Sequence, residues 1–191
     1  MQLYKKLRLL LEPELDALFC RAVAETESYG EVLNLKGEAT VTFNKAKFMA
    51  LASNLPKKEL NKIQRYTGSN QQTFKAAARV NSRYAVLASS WGVFQVPADC
   101  YYDLGYSSAY VFTEQMKNGL DAQVEAFRRL VRMKNLVPVI NVHDVEVFTA
   151  AYNDDIETNE AYATKLRKNL KLFESKIKNS KNTTNKENNN G

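Results

Sequence analysis

The sequence predicts a mainly α-helical domain with one small β-excursion, and three observations carry that expectation. Apolar residues recur at three- and four-residue spacing through most of the chain. Only 7 glycines and 4 prolines fall among 191 residues, too few for a turn-dense β-barrel or a repeat array. The helical period fails in one early stretch, 31–43, where Val32, Leu33 and Leu35, then Thr40 to Phe43 after Lys36-Gly37, suggest a short hairpin. With 45% apolar and 25% charged residues, such a chain buries a core without covalent staples.

The first helix is expected over 14–29. Pro13 suits an opening turn, and Leu15, Leu18, Phe19, Ala22, Val23 and Thr26 form one continuous face. Gly30 is the natural stop. Short helices follow at 45–55 and 57–66, separated by Asn54 and Pro56. A longer pattern runs through 70–88. Next comes Ser89-Ser90-Trp91-Gly92-Val93-Phe94-Gln95-Val96-Pro97, apolar and polar by turns, with the only tryptophan. Residues 113–134 read as a long helix through Met116, Leu120, Val124, Phe127 and Val131. Shorter patterns mark 144–152 and a last helix through Tyr162, Leu166, Leu170, Phe173 and Ile177. Residues 179–191 hold no large apolar side chain, so a disordered Lys/Asn-rich tail is expected after a folded part spanning 1–178.

Rare residues exclude several chemistries. One histidine, His143, and two distant cysteines, Cys20 and Cys100, supply too few ligands for a zinc site and form no redox motif. No metal and no organic cofactor is implied. What remains is chemistry done by carboxylates, amides and hydroxyls. The net charge of +6 arises from Lys165 onward, while residues 1–164 hold 19 basic and 19 acidic side chains. A nucleic-acid-binding domain carries its basic stripe on the folded body, so nucleic acid is not the expected partner. A solvated helix face with a solubilising end accounts for the excess better than a tether to an anionic polymer. The N-terminal leucine run is broken by Lys5, Lys6 and Arg8 and stopped by Glu12-Pro13-Glu14, which does not make a signal peptide. No stretch reaches the ~18 apolar residues of a membrane span, so no membrane insertion is expected.

Glu25 and Glu27 close the first helix on opposite edges of its apolar face, with Thr26 near the centre. A carboxyl group in that position loses hydration, which raises its pKa and suits it to donate a proton near neutral pH. From position alone, two ordinary edge carboxylates at solvent, or one paired with a lysine, fit the pattern better, and periodicity does not choose between Glu25 and Glu27.

Three further segments choose between them. Ala22-Val-Ala-Glu25-Thr-Glu27-Ser28 resembles the "A-V-x-E-x-E-S" that ends the catalytic helix of phage-type N-acetylmuramidase domains, in the lysozyme and lytic-transglycosylase superfamily. Ala88-Ser-Ser90-Trp91-Gly92-Val-Phe94-Gln95-Val is similar to that family's "A-S-W-G-x-F-Q-I". Gly105-Tyr-Ser-Ser108, Phe112, Met116, Gln123 and Ala126-Phe127 follow its order, as do Phe148 to Asn153, Tyr162 and Lys165-Leu166. The resemblance runs from about Leu15 to Phe173. It implies a lysozyme-like fold, Glu27 as general acid, and a glycan cleft lined by Ser90, Gln95, Tyr152 and Asn153. Amides bond N-acetyl and hydroxyl groups in both directions, and a tyrosine face suits a sugar ring. Trp91, Phe94 and Tyr162 are read as core.

Two departures stand out. Where the family often has "L-F-E-x-H-x-F", this chain has Thr42-Phe43-Asn44-Lys45-Ala46-Lys47-Phe48, and Asp154-Asp155-Ile156 replaces a glycine-rich stretch after Tyr152-Asn153. The second catalytic group is therefore open among Asn44, Asp99, Asp103 and Asp154. The expectation is a peptidoglycan hydrolase that cleaves the β-1,4 bond between N-acetylmuramic acid and N-acetylglucosamine in phage-mediated lysis. It would be made in a bacterial host cytoplasm and act on the wall after release or delivery. The alternative is a weak or inactive lysozyme-like module that binds glycan or serves in a phage particle.

Overall fold

Both ends of the chain build one compact unit and its middle builds another: Met1–Gly30 with Lys134–Gly191, and Glu31–Met133. This is a computed structural model, and it describes residues 1–153 and 158–188. Helix predominates, with one small sheet, as the sequence predicts. No composition shift marks residue 30 or 134, so the discontinuity of the first unit has no signature in the sequence read as a single domain.

The chain opens with α1 (Gln2–Leu11). Its interrupted leucine run is an amphipathic pattern: Leu7 and Leu11 are buried while Lys5, Lys6 and Arg8 face solvent. Helix α2 (Ala17–Ser28) starts later than Pro13 because Asp16 is its cap, accepting a hydrogen bond from the Phe19 N–H at 2.7 Å. It ends on Tyr29 and Gly30, both at positive φ, with the Gly30 N–H donating to the Ala24 carbonyl.

The middle unit follows. The expected hairpin within 31–43 is reduced to a single antiparallel bridge between Leu33 and Ala39, around a turn tied by the Asn34 side chain. Strand β1 (Val41–Phe43) pairs instead with β2 (Ser89–Trp91), Thr42 opposite Ser90, and β2 pairs with β3 (Val96–Pro97). Helices α3 (Lys45–Leu51) and α4 (Lys57–Arg65) match the short helices expected. The pattern over 70–88 is two helices, α5 (Asn70–Val80) and α6 (Ser82–Leu87). Asn81 leaves helical geometry between them and caps α6, accepting from the Tyr84 N–H at 2.9 Å. A one-turn 3₁₀ segment, Ala98–Cys100, leads to α7 (Ala109–Met116) and α8 (Leu120–Met133). The single helix expected over 113–134 is instead the end of α7 and the whole of α8, with Gly119, at φ +93°, between them. Phe43, Phe48, Leu60 and Ile63 share a core with Ala77, Ala85 and Ala88.

The chain returns to the first unit through α9 (Val137–Asn141), α10 (Val145–Tyr152) and α11 (Asn159–Asn188). Helix α11 packs along α2, burying Ala163, Leu166, Leu170 and Phe173. Its backbone stays helical past the boundary expected at 178, to Asn188; neither glycine nor proline interrupts it. No helix among the described residues is long and apolar enough to cross a membrane.

Candidate active site

The site begins with the last turn of α2. Thr26 lies on the buried face, where its hydroxyl donates to the Ala22 carbonyl (2.8 Å) and accepts from the Asn169 amide of α11 (3.0 Å). Glu25 and Glu27 flank it and meet different surroundings. Glu25 pairs with Arg21, one turn earlier, at 2.7 Å. The Arg21 guanidinium in turn lies over the Phe173 ring, 4.2 Å from its centroid. Glu25 is thus neutralised by a structural partner.

Glu27 is partly buried and meets no guanidinium or ammonium in an ion pair among the described residues. Its Oε1 accepts a hydrogen bond from the Tyr162 hydroxyl of α11 at 2.7 Å. Burial pushes the Glu27 carboxyl up to about 7, and the Tyr162 hydrogen bond and the nearby Lys165 charge pull the other way without cancelling it. Tyr162 is itself held far toward its neutral form by burial and by the neighbouring Glu27 and Tyr152. It is therefore a permanent donor at any working pH. With Oε1 accepting from Tyr162, Oε2 is the oxygen left to carry the acidic proton when Glu27 is protonated. With the carboxyl pushed up to about 7, roughly half of the molecules hold it as a neutral acid at pH 7, its Oε1 anchored by Tyr162.

Tyr162 lies on the inward face of α11, as helical periodicity predicts, but a hydroxyl buried beside a carboxylate looks the same in that pattern as one beside leucines. Its signal was its place in the resemblance, three residues before Lys165. Tyr152 is also in this unit, nearly buried and stacked on Phe148 with ring centroids 4.7 Å apart. Asn153 donates to Thr158 Oγ1 (3.1 Å) and Asn159 Oδ1 (3.0 Å), which ties the end of α10 to the start of α11. Asp154 lies outside the described residues.

The other candidates belong to the middle unit. Ser90 is half-buried on the central strand β2. Gln95 is buried at φ +51°; its Nε2 donates to the Gly92 carbonyl at 2.7 Å, and its Oε1 is buried with no partner among the described residues. Trp91 and Phe94 are core, as expected: Trp91 packs edge-on against Phe74, and Phe94 stacks on Phe127 at 4.1 Å. Asp99 is ion-paired with Lys47 at 2.6 Å, and Asp103 is exposed.

Asn44 has a structural occupation. It is the N-cap of α3, and its Oδ1 accepts from the Lys47 N–H at 2.9 Å. The asparagine at this position suits the helix it starts, since its short side chain reaches the Lys47 N–H. Asn44→Ala should cost about 1 kcal/mol of stability, and Asn44→Asp, which keeps the capping oxygen, should cost almost nothing. Urea denaturation of the two variants beside the parent checks this; equal losses would mean that the cap contributes nothing. Among the described residues, no cluster of three or more histidine, cysteine, aspartate or glutamate side chains is arranged to hold a metal.

With that geometry in view, the comparisons with known proteins are specific. The family model described as Muramidase, N-acetylmuramidase, matches residues 16–174. Among solved structures, the chain is similar to the crystal structure of the Burkholderia AP3 phage endolysin, at 22% identity and a TM-score of 0.68, over 90% of this chain and 70% of that one. That likeness establishes a shared fold. No curated protein matches the sequence.

Proposed function

This chain belongs to the N-acetylmuramidase family, and from that premise we propose that it cleaves the β-1,4 bond between N-acetylmuramic acid and N-acetylglucosamine with Glu27 as general acid. Family membership makes it a peptidoglycan hydrolase. The observation that carries the finer reading is the Glu27 carboxyl, pushed up to about 7 by burial and held through Oε1 by Tyr162. A group of that pKa is close to the working pH, where proton donation is most effective. The proton on Oε2 passes to the glycosidic oxygen as the C–O bond breaks and positive charge develops on the muramic ring. The carboxylate that forms keeps the Tyr162 hydrogen bond, which is stronger to an anion than to the neutral acid.

The glycan-binding roles of Ser90, Gln95, Tyr152 and Asn153 are part of the same proposal. The second group stays open among Asn44, which could orient water but not take its proton, Asp99, Asp103 and Asp154. Release to the wall in phage lysis accords with the endolysin fold.

The test is digestion of purified peptidoglycan followed by mass spectrometry of the fragments. New reducing ends on muramic acid are the expected product. Anhydro-muramic ends would make the reaction a transglycosylation, and pelleting with walls without new ends would make the protein a binder. We also propose that the catalytic unit closes at residue 178. Removing 179–191 is expected to leave the melting temperature and fragment cleavage unchanged; a drop of several degrees would show that the terminal turns contribute to the fold.

A further inference from the structure

Lys165 stands one turn beyond Tyr162 on α11, on the same face of the helix. Its ammonium group donates to the Thr26 carbonyl oxygen and lies 4.7 Å from the centroid of the Tyr29 ring. Both anchors belong to the end of α2, one residue before Glu27 and two after it. Held by them, Lys165 makes no ion pair with Glu27 among the described residues.

We infer that Lys165 is a positioning residue for the acid: a fixed positive charge, kept beside Glu27 but not bonded to it, that favours the carboxylate formed on proton donation. The inference rests on the reading of Glu27 as general acid. A direct ion pair would ionise Glu27 before the reaction and leave it no proton to give. A charge pinned nearby by other bonds attracts the neutral acid weakly and the developing carboxylate strongly. Interactions that strengthen toward the transition state accelerate the step, and a charge already fixed in place needs no reorganisation to do so. Two opposing influences then set the acid's strength. Burial raises its pKa, while Tyr162 and Lys165 hold the rise to about 7.

Other charges around α2 are committed elsewhere. Arg21 and Glu25, on α2 itself, pair with each other. On α1, Arg8 is bonded to Glu12, and Lys5 and Lys6 are exposed beside the half-buried Tyr4. Helix α9 carries no titratable side chain. From α10, Tyr152 acts on Tyr162. The groups that act directly on the Glu27 carboxyl are Tyr162 and Lys165.

The experiment is the pH profile of kcat/KM on soluble wall fragments for the parent, Lys165→Met, Lys165→Arg and Glu27→Gln. Its alkaline limb reports ionisation of the acid in the free enzyme. Removing the positive charge should let Glu27 keep its proton to higher pH. The limb of Lys165→Met is expected to move up by about half to one pH unit, with a plateau rate about tenfold lower. Lys165→Arg, which keeps the charge, should leave the limb near the parent's. A lysine that merely glues α11 to α2 would behave differently: Lys165→Met would melt earlier with its limb unmoved, and that result overturns the inference. Should Lys165→Met fail to fold, Lys165→Gln retains a donor for the Thr26 carbonyl, and the same limb shift is required of it. Glu27→Gln separates the two levels. If it cleaves at the parent rate, the acid assignment fails and this inference with it. If it is inactive while the limb stays put in the lysine variants, only the role of Lys165 fails.

Discussion

Glu27→Gln is expected to reduce wall cleavage at least ~100-fold, the lower end of what a positioned general acid contributes, while making the protein more stable at alkaline pH. The two effects have one cause. The amide is nearly isosteric, and its oxygen still accepts from Tyr162, so the α2–α11 contact survives. What disappears is the proton on Oε2 and the charge that replaces it. In the unfolded chain the carboxyl releases its proton near 4.5, and in the folded chain near 7. Between those values the folded state binds the more protons, so its stability falls as pH rises through the window and stays reduced above it. A shift of that size corresponds to roughly 3 kcal/mol. Glutamine never pays that ionisation cost. Below pH 4.5 the variant and the parent should melt together, and at pH 8 the variant should melt several degrees higher. Glu25→Gln supplies the contrast: it removes the partner of the largely buried Arg21 and should lower stability by about 1–3 kcal/mol with activity largely retained. Parent-rate clearing by pure Glu27→Gln would remove Glu27 from the mechanism. Parallel melting of variant and parent from pH 4 to 8 would show that its carboxyl is not perturbed.

The sequence carried the helical class, the exposed and buried faces of the major helices, and the position of the two carboxylates, because 3.6-residue periodicity records which side of a helix meets water. It did not carry the breaks at Asn81 and Gly119. The apolar pattern runs through both, and a one-residue change of direction preserves it locally. It gave β1 the wrong partner, since Thr40 to Phe43 has strand character whichever segment pairs with it, and the choice of Ser89–Trp91 is made at a separation of about fifty residues. The difference between Glu25 and Glu27 was likewise invisible to periodicity. It resides in Arg21, four residues back, and in Tyr162, on another helix altogether. Only the resemblance, which encodes that long-range arrangement in its order of motifs, selected Glu27.

Gln123→Ala is expected to be the most destabilising single change in the middle unit. The Gln123 side chain is buried and satisfies three backbone groups at once. Its Oε1 accepts from the Val93 N–H at 2.7 Å, and its Nε2 donates to the carbonyls of Val32 at 3.0 Å and Met116 at 2.9 Å. These tie the β2–β3 turn, the chain entering the unit, and the end of α7 to one residue of α8. Gly92 leaves the room for it: a Cβ there would lie 2.8 Å from the Gln123 carboxamide carbon. Alanine would leave one donor and two acceptors unpaired and open a cavity, for a loss of roughly 4 kcal/mol or more, a large fraction of what an ordinary domain has. Gln123→Glu separates hydrogen bonding from packing, because it fills the same volume. As a neutral acid it accepts from Val93 and donates to one of the two carbonyls. As a carboxylate it donates to neither, and its folded pKa is therefore raised. The folded state then holds the extra proton, so stability is greatest below the unfolded value of about 4.3 and is lost as pH rises through the folded one. The variant should approach the parent's melting temperature near pH 4 and fall well below it at pH 7. If Gln123→Ala melts within about 1 kcal/mol of the parent, the three bonds are replaceable by water and the unit is held by its apolar core alone.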